Sequence, residues 1–396
     1  MIVRRHLAAV LLLLGLIPGA GLAQEAWLVT YGPGSEVWER FGHNAIWLKD
    51  PNTGLDHTFS FGYFELDRPG FHRDFARGIM LYYGAAGRSE REFAFYRQRD
   101  RTIRLQQLDL DPDQIHHLFR LLDEAIFPQP QYYQYNYYLA NCSTWLRDLL
   151  DQVLDGPIGD QLRDRPETQN FRDHTRRLTM ERFWLHTGMM LLLGPKIDQP
   201  RTAWEETFLP DRLAYWIDQI EVDGRSLVIS DEIIYQSRTH APPEHPAGPW
   251  GWSLVLGLLA ALLILWAASR GTGFHHRLPW LVGLVAAGCS GLVILLMWLA
   301  TGHAATAANL MALILNPLWL ILLLPGWGRF KAMAWWLLAL GLVAGSVLLA
   351  WPNGPQYRPD QLLLVVPICL ALLVVARMCT FCRPAVHKSE LSANSD

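Results

Sequence analysis

The stretch after Trp250 most constrains what this chain can become. Apolar runs at about 251–269, 280–300, 308–326, 333–351 and 361–377 are each long enough, or nearly so, to cross the hydrocarbon layer of a bilayer. Backbone groups in that layer have no water to bond, so such runs are expected as helices. Charged residues concentrate before about residue 245. Over the 396 residues the hydrophobic share is 51% and the charged share 18%, which excludes a wholly soluble chain. The net charge of -3 gives no support to a basic nucleic-acid surface, so no nucleic-acid partner is expected.

The beginning of the chain agrees with a membrane destination. Arg4 and Arg5 precede the apolar run Leu7–Leu16, and Pro18, Gly21 and Ala23 resemble the approach to an export cleavage point. Residues 1–23 therefore read as a signal peptide, with an uncleaved anchor as the alternative. Arg270 and Arg277, then Arg329 and Lys331, then Arg377, Arg383 and Lys388 fall on alternate sides of the apolar series. Basic connections stay in the cytoplasm. This places residues 24–249 in the periplasm, residues 250–378 as a five-helix transmembrane domain, and 379–396 as a cytoplasmic tail of an inner-membrane protein. Pro317, Pro325 and Pro367 are the points where a span can break. In the tail, Cys379 and Cys382 form a CxxC pair that lacks four clear zinc ligands, and incidental thiols are the expectation.

The outside part reads as mixed α and β structure. Trp27–Tyr31, Asn44–Leu48 and Thr58–Phe64 have strand character, and Pro51-Asn52-Thr53-Gly54 is a turn between the last two. Ile103–Leu108 adds a strand before a helix that Asp111 caps and Pro112 opens. A further helix starts at Cys142 under an Asn141 cap and continues to Val153. Residues 157–179 are charged and less regular. Residues 183–193 are very apolar yet short for a span, suited to a core, a bilayer face or the transmembrane bundle.

Two residues in this part suggest chemistry. At a helix start, Cys142 meets free amide groups and positive backbone potential, which favour a thiolate nucleophile. A buried packing cysteine is the other reading. His43, after Gly42 at the start of a strand, can take a thiol proton and return it to a leaving group. Spacing along the chain does not by itself bring residues 43 and 142 together. Tyr135, Tyr138 and Asn141 are expected to support the entrance of the cysteine helix. Arg88, Arg91, Arg172, Arg176 and Arg177 can attract phosphate or form solvated charged faces. His174 and His186 read as local polar residues, and no metal or cofactor site is expected.

The segment Phe41–Trp47, the strand Thr58–Phe64 and the run Tyr135–Thr144 resemble the periplasmic domain of the second type of bacterial lipoprotein N-acyltransferase. The resemblance spans most of residues 25–215, including Trp204 and Phe208-Leu209-Pro210-Asp211, and the following apolar helices fit it. It implies an α+β, permuted papain-like periplasmic domain followed by an α-helical transmembrane bundle. It also implies Cys142 and His43 as the catalytic pair. Ser60, His57 and Asp56 are candidates for orienting the imidazole. Relatives often carry asparagine at the position of Ser60 and aspartate at that of Ala140.

The implied reaction moves an acyl chain from a phospholipid donor, through a Cys142 thioester, to the amino group of diacylglyceryl-cysteine on an apolipoprotein. A membrane-anchored papain-like peptidase or amidase is the alternative enzyme. A noncatalytic envelope assembly protein is the alternative of a different class.

Overall fold

Strand β1 (Glu25–Tyr31) turns Ala26 and Leu28 toward one face of a sheet and Trp27, Val29 and Tyr31 toward the other. Both sets find an apolar layer, so the sheet has helices on each side. The computed structural model describes residues 24–129, 131–238, 243–245, 248–271, 273–324 and 328–381. The expected signal peptide, and the tail from residue 382 with Cys382, lie outside the described residues. By packing the chain falls into two units. One is the chain to Phe171 with Pro200–Pro243; the other is Arg172–Gln199 with the chain from Glu244.

In the first unit, β2 (His43–Asp50) and β3 (Leu55–Tyr63) form the expected hairpin, with Asp50 opposite Leu55. Strands β4 (Leu81–Arg88), β5 (Ile103–Leu108), β6 (Tyr133–Gln134) and β9 (Val228–Tyr235) complete a sheet of order β6-β4-β3-β2-β1-β5-β9. A small hairpin, β7 (Glu221–Val222) and β8 (Arg225–Ser226), stands apart. All neighbours are antiparallel, which gathers the ends of β1 and β3 with the starts of β2, β4 and β5 at one end of the sheet.

One face packs Leu28, Ile46, Leu48, Phe59 and Phe61 against Leu118 and Leu122 of helix Pro112–Ile126 and Leu146 and Leu150 of helix Cys142–Val153. Leu213 and Trp216 of helix Pro210–Ile217 join that core. Burial of each such side chain contributes roughly 1.5–3 kcal/mol. On the other face, Phe93 and Tyr96 of helix Ser89–Gln98 cover Val29, Tyr31, Ala45 and Ile103. Sequence periodicity does not foretell β4, β9 or the Ser89–Gln98 helix.

Among the described residues of the second unit, four helices are long and apolar enough to cross a membrane: Trp250–Arg270, Phe274–Leu299, Arg329–Ala350 and Pro359–Met378. The expected run 308–326 is not a continuous helix. It forms a 3-10 turn at Leu310–Leu313 and a short helix at Leu318–Ile321, with Asn316-Pro317 between them. The break follows from chemistry, since Pro317 has no N–H to continue a helical ladder. The chain nevertheless returns along the bundle there. Trp280 and Trp335, near the starts of their helices, donate to the Leu372 and Leu373 carbonyls near the end of the last helix at 3.1 and 2.9 Å. Both helices therefore start at one end, and residues 300–324 carry the chain back toward it. A Cβ on Gly291 would stand 2.2 Å from the Cα of Asn316, so glycine is what admits the broken segment. Asn309 donates to the Leu191 and Leu192 carbonyls, and Gln356 donates to Asn309, which satisfies irregular backbone that lipid could not.

The same unit corrects the reading of its arginines. Arg172 and Arg358 share Asp198, while Arg176 and His186 meet Asp360 at 2.7 and 2.9 Å. Arg358, Asp360 and His186 are fully buried. Arg172 and Arg176 are therefore buried ion-pair members rather than a solvated charged face. The apolar helix Phe183–Leu192 belongs to this unit.

Candidate active site

Asn141 sets the position of Cys142. Its backbone is extended, and its side-chain oxygen accepts the N–H groups of Ser143 and Thr144, both at 3.0 Å. Thr144 Oγ1 accepts the Asn141 N–H at 2.8 Å, completing a reciprocal cap. The Asn141 amide donates to the Tyr137 and Phe208 carbonyls, each at 2.9 Å. The helix therefore begins with its first turn fixed from both sides. Cys142 sits in that turn, 8% exposed, with Ser143 Oγ at 3.8 Å from its sulfur.

Asn44 joins this helix to the sheet. Ser143 Oγ donates to Asn44 Oδ1 at 2.7 Å, while Asn44 Nδ2 donates to Thr30 Oγ1 at 2.8 Å. The Asn44 backbone N–H lies on the peptide bond shared with His43. Burial pushes the thiol up; this N–H, the Ser143 groups and the Arg101 charge act in the opposite direction. At rest the sulfur is thus a protonated thiol surrounded by groups that favour its anion. Gly62 is a further neighbour. Its φ is +106°, and a Cβ there would lie 3.8 Å from Cys142 Cβ and from Tyr135 Cε2.

His43 opens β2 directly opposite Tyr31, and its half-buried ring lies nearly parallel to those of Tyr31 and Tyr96 at 6.1 and 6.3 Å. Tyr31 and Tyr96 themselves stack at 3.5 Å. Burial, then the positive charge of Arg101, push the imidazole down to about 3. The ring is therefore neutral near pH 7, the form a general base needs.

Two charged groups at this end are absent from the sequence reading. Glu92, half-buried on the Ser89–Gln98 helix, accepts the hydroxyls of Tyr31 at 2.9 Å, Ser60 at 3.1 Å and Thr58. Burial raises its carboxyl, and the three hydroxyls pull the other way. Arg101 donates from Nε to the Gly32 carbonyl at 2.8 Å and lies over the Tyr96 ring. The available signal is helical spacing: Ser89, Phe93 and Tyr96 mark one buried face, and Glu92 lies on it.

The structure separates the orienting candidates. Ser60 is buried opposite Ala45, two residues from His43, and reaches Glu92. Asp56 and His57 pair with Lys49 and Leu48, five or six residues along β2 from His43. That is roughly 16–20 Å at strand rise. Asp56 accepts the Trp47 indole at 2.7 Å and the Ser89 hydroxyl at 2.5 Å. Neither Asp56 nor His57 is placed to orient His43, because strand alternation and length carry them to the far end. Tyr135 stacks on Tyr82 at 4.3 Å beside Gly62, and Tyr138 packs between Phe171 and Phe208 at 4.8 and 5.3 Å. Among the described residues no group of three or more His, Cys, Asp and Glu side chains could hold a metal ion.

Residues 23–176 match the family model of the Lnb N-terminal periplasmic domain, and residues 244–384 match that of the Lnb transmembrane domain. The chain belongs to the Lnb family. Searches of curated proteins and of solved structures return no match. Lnb membership and the fold together describe a membrane protein whose sheet-rich α+β periplasmic domain precedes its apolar helices. Lnb domains also connect the chain with lipoprotein maturation.

Proposed function

We propose that the protein is a cysteine-dependent lipoprotein N-acyltransferase of the inner membrane, with a permuted papain-like periplasmic domain. The observation that carries this reading is the Ser143–Asn44 hydrogen bond, which fastens the capped first turn holding Cys142 to the strand that His43 opens.

In the first half-reaction the sulfur attacks the carbonyl of a phospholipid ester. The thiol proton passes to His43 and then to the departing alcohol oxygen, leaving an acyl thioester and a lysophospholipid. The first-turn N–H groups of the Cys142 helix favour the negative oxygen of the tetrahedral state. In the second half the α-amino group of diacylglyceryl-cysteine on an apolipoprotein attacks the thioester. Its proton passes through His43 to the departing sulfur, regenerating the thiol as the amide forms.

A lipid rather than a soluble substrate is supported by what surrounds the pair. Connections at this end of the sheet expose Trp38 by 65%, Leu139 by 59% and Leu66 by 55%, with Val37, Phe75 and Ile79 also exposed. The opposite end offers Asn52, Asp109 and Asp111. A wide apolar rim suits acyl chains and a bilayer face. Holding both lipid reactants at one membrane reduces the entropy of bringing them together.

The reading also carries the expected topology. With residues 24–249 outside, four continuous helices and the returning 300–324 segment make five passes and put the carboxyl end in the cytoplasm. The basic groups around Arg270, Arg329 and Arg377 support that side.

The test supplies phospholipid and a diacylated lipopeptide to purified full-length protein and follows both products by mass. Lysophospholipid and N-acylated lipopeptide should appear together, and Cys142→Ser or His43→Ala should reduce both by several orders of magnitude. Cleavage of cell-wall peptides without N-acylation would refute the transferase reading in favour of a peptidase.

A further inference from the structure

The reaction written above leaves a buried cation beside the pair unused. Arg101 lies between helix Ser89–Gln98 and β5, and its side chain is 4% exposed. Nε donates to the Gly32 carbonyl, Nη1 stands 4.0 Å from Glu39 Oε1, and Nη2 is buried without a hydrogen-bond partner. Glu39 is held more closely by Arg99, at 2.6 Å. The guanidinium carbon lies 4.7 Å from the centre of the Tyr96 ring, which is parallel to Tyr31 and to His43. A loop staple needs neither an unsatisfied donor nor a permanent charge in such a place, and burying both is costly.

We infer that Arg101 is an electrostatic positioning residue of the reaction site, a fixed positive charge that favours states in which the Cys142 sulfur or the substrate oxygen is negative. The inference rests on the acyl-transfer reading for its role in turnover. The charge acts on both reacting groups. The Arg101 charge lowers the His43 imidazole and also lowers the Cys142 thiol against burial. The same field makes an imidazolium formed during attack a stronger acid toward the departing alkoxide. No additional reactant is needed, because the proton still moves from sulfur through His43 to the leaving oxygen.

Tyr31 from β1, Tyr96 from the Ser89–Gln98 helix and Tyr63 from β3 are all raised by burial and stay neutral. Tyr133 and Tyr135, before the cysteine helix, behave alike. Glu92 and Glu39 are the carboxyls that oppose Arg101.

The test is the pH dependence of iodoacetamide alkylation at Cys142, read by mass on its own peptide in full-length protein without lipid. Arg101→Gln should alkylate about tenfold more slowly at neutral pH, the deficit closing in strong base, as expected for a thiol pushed further up once the positive charge is gone. Arg101→Lys should restore much of the wild-type profile. Glu39→Gln, which removes an opposing charge, should shift the profile to lower pH and serves if Arg101→Gln does not fold. A folded Arg101→Gln protein with the wild-type profile, or an unchanged or upward-shifted profile in Glu39→Gln, overturns the inference. Because no acyl substrate is present, failure of wild-type N-acylation would count against the transferase reading alone.

Discussion

Ser143 Oγ donates to Asn44 Oδ1 at 2.7 Å, fastening the first turn of the Cys142 helix to the strand that begins with His43. Both residues are fully buried, and Asn44 also bonds Thr30. Ser143 is thus a tether rather than a second nucleophile. Ser143→Ala should cost about 1–3 kcal/mol, the usual penalty of leaving a buried acceptor unsatisfied. Thermal unfolding in detergent measures this, while N-acylation at a temperature where the variant is folded should persist. Complete loss in folded Ser143→Ala would show that the hydroxyl takes part in the chemistry.

Gly62 should tolerate a methyl group in space but not in backbone. The Cβ position has only ordinary contacts, whereas the φ of +106° is one L-residues rarely adopt. Gly62→Ala should therefore destabilise by about 1–3 kcal/mol and misplace Cys142 enough to reduce transfer. A variant equal to wild type in melting and turnover would show that the backbone at Gly62 relaxes freely.

Acid should act through His43. Its folded value of about 3 lies below the ordinary 6.5, so the unfolded chain binds the extra proton first. Stability from the neutral imidazole is complete above pH 6.5 and is lost as pH falls from there toward 3. His43→Gln should flatten this part of the stability profile, measured by melting across the range. Equal slopes for variant and wild type would show that His43 does not titrate low.

The apolar rim predicts a difference between lipid presentations. Trp38→Glu and Leu139→Glu change exposed side chains, so each should alter folding stability by no more than about 0.5 kcal/mol. Transfer from donor in vesicles should fall at least several-fold, with a smaller fall for detergent-dispersed donor. Equal rates from vesicles would remove the rim from substrate handling.

In the apolar unit, Asp360→Asn takes the charge from both Arg176 and His186. Removing one member of a buried ion network typically costs about 3–5 kcal/mol. The melting temperature should fall sharply, and substituting Asp360 and Arg176 together by apolar residues should recover part of the loss. An unaltered melt would show that water reaches the cluster.

Local rules made several of these elements legible. Asn141 and Asp111 cap the helices they announce, and Ile103–Leu108 is the strand its pattern indicates. The Cys142 helix and four of the apolar runs follow from the same reasoning. Strand β4 was hidden because Gly84-Ala85-Ala86-Gly87 carries no clear alternation. Glu92 and Arg101 sit in a charge-rich run that reads as surface. Their placement depends on Tyr31 and Gly32, 61 and 69 residues earlier in the chain, which no local pattern can supply. Arg172 and Arg358 are disguised in the same way, each matched to Asp198 only by packing. Asp56 and His57 looked close to the histidine strand, but register carries them along the sheet and away from His43.

The most direct measurement is the mass of the Cys142 peptide after brief exposure of full-length protein to phospholipid without acceptor. An acyl chain should appear on Cys142 as a hydroxylamine-sensitive thioester, with one lysophospholipid released per chain, and should leave when diacylated lipopeptide is added. N-acylated product forming at an undiminished rate in Cys142→Ser, or from wild type with that sulfur never acylated, would contradict the account.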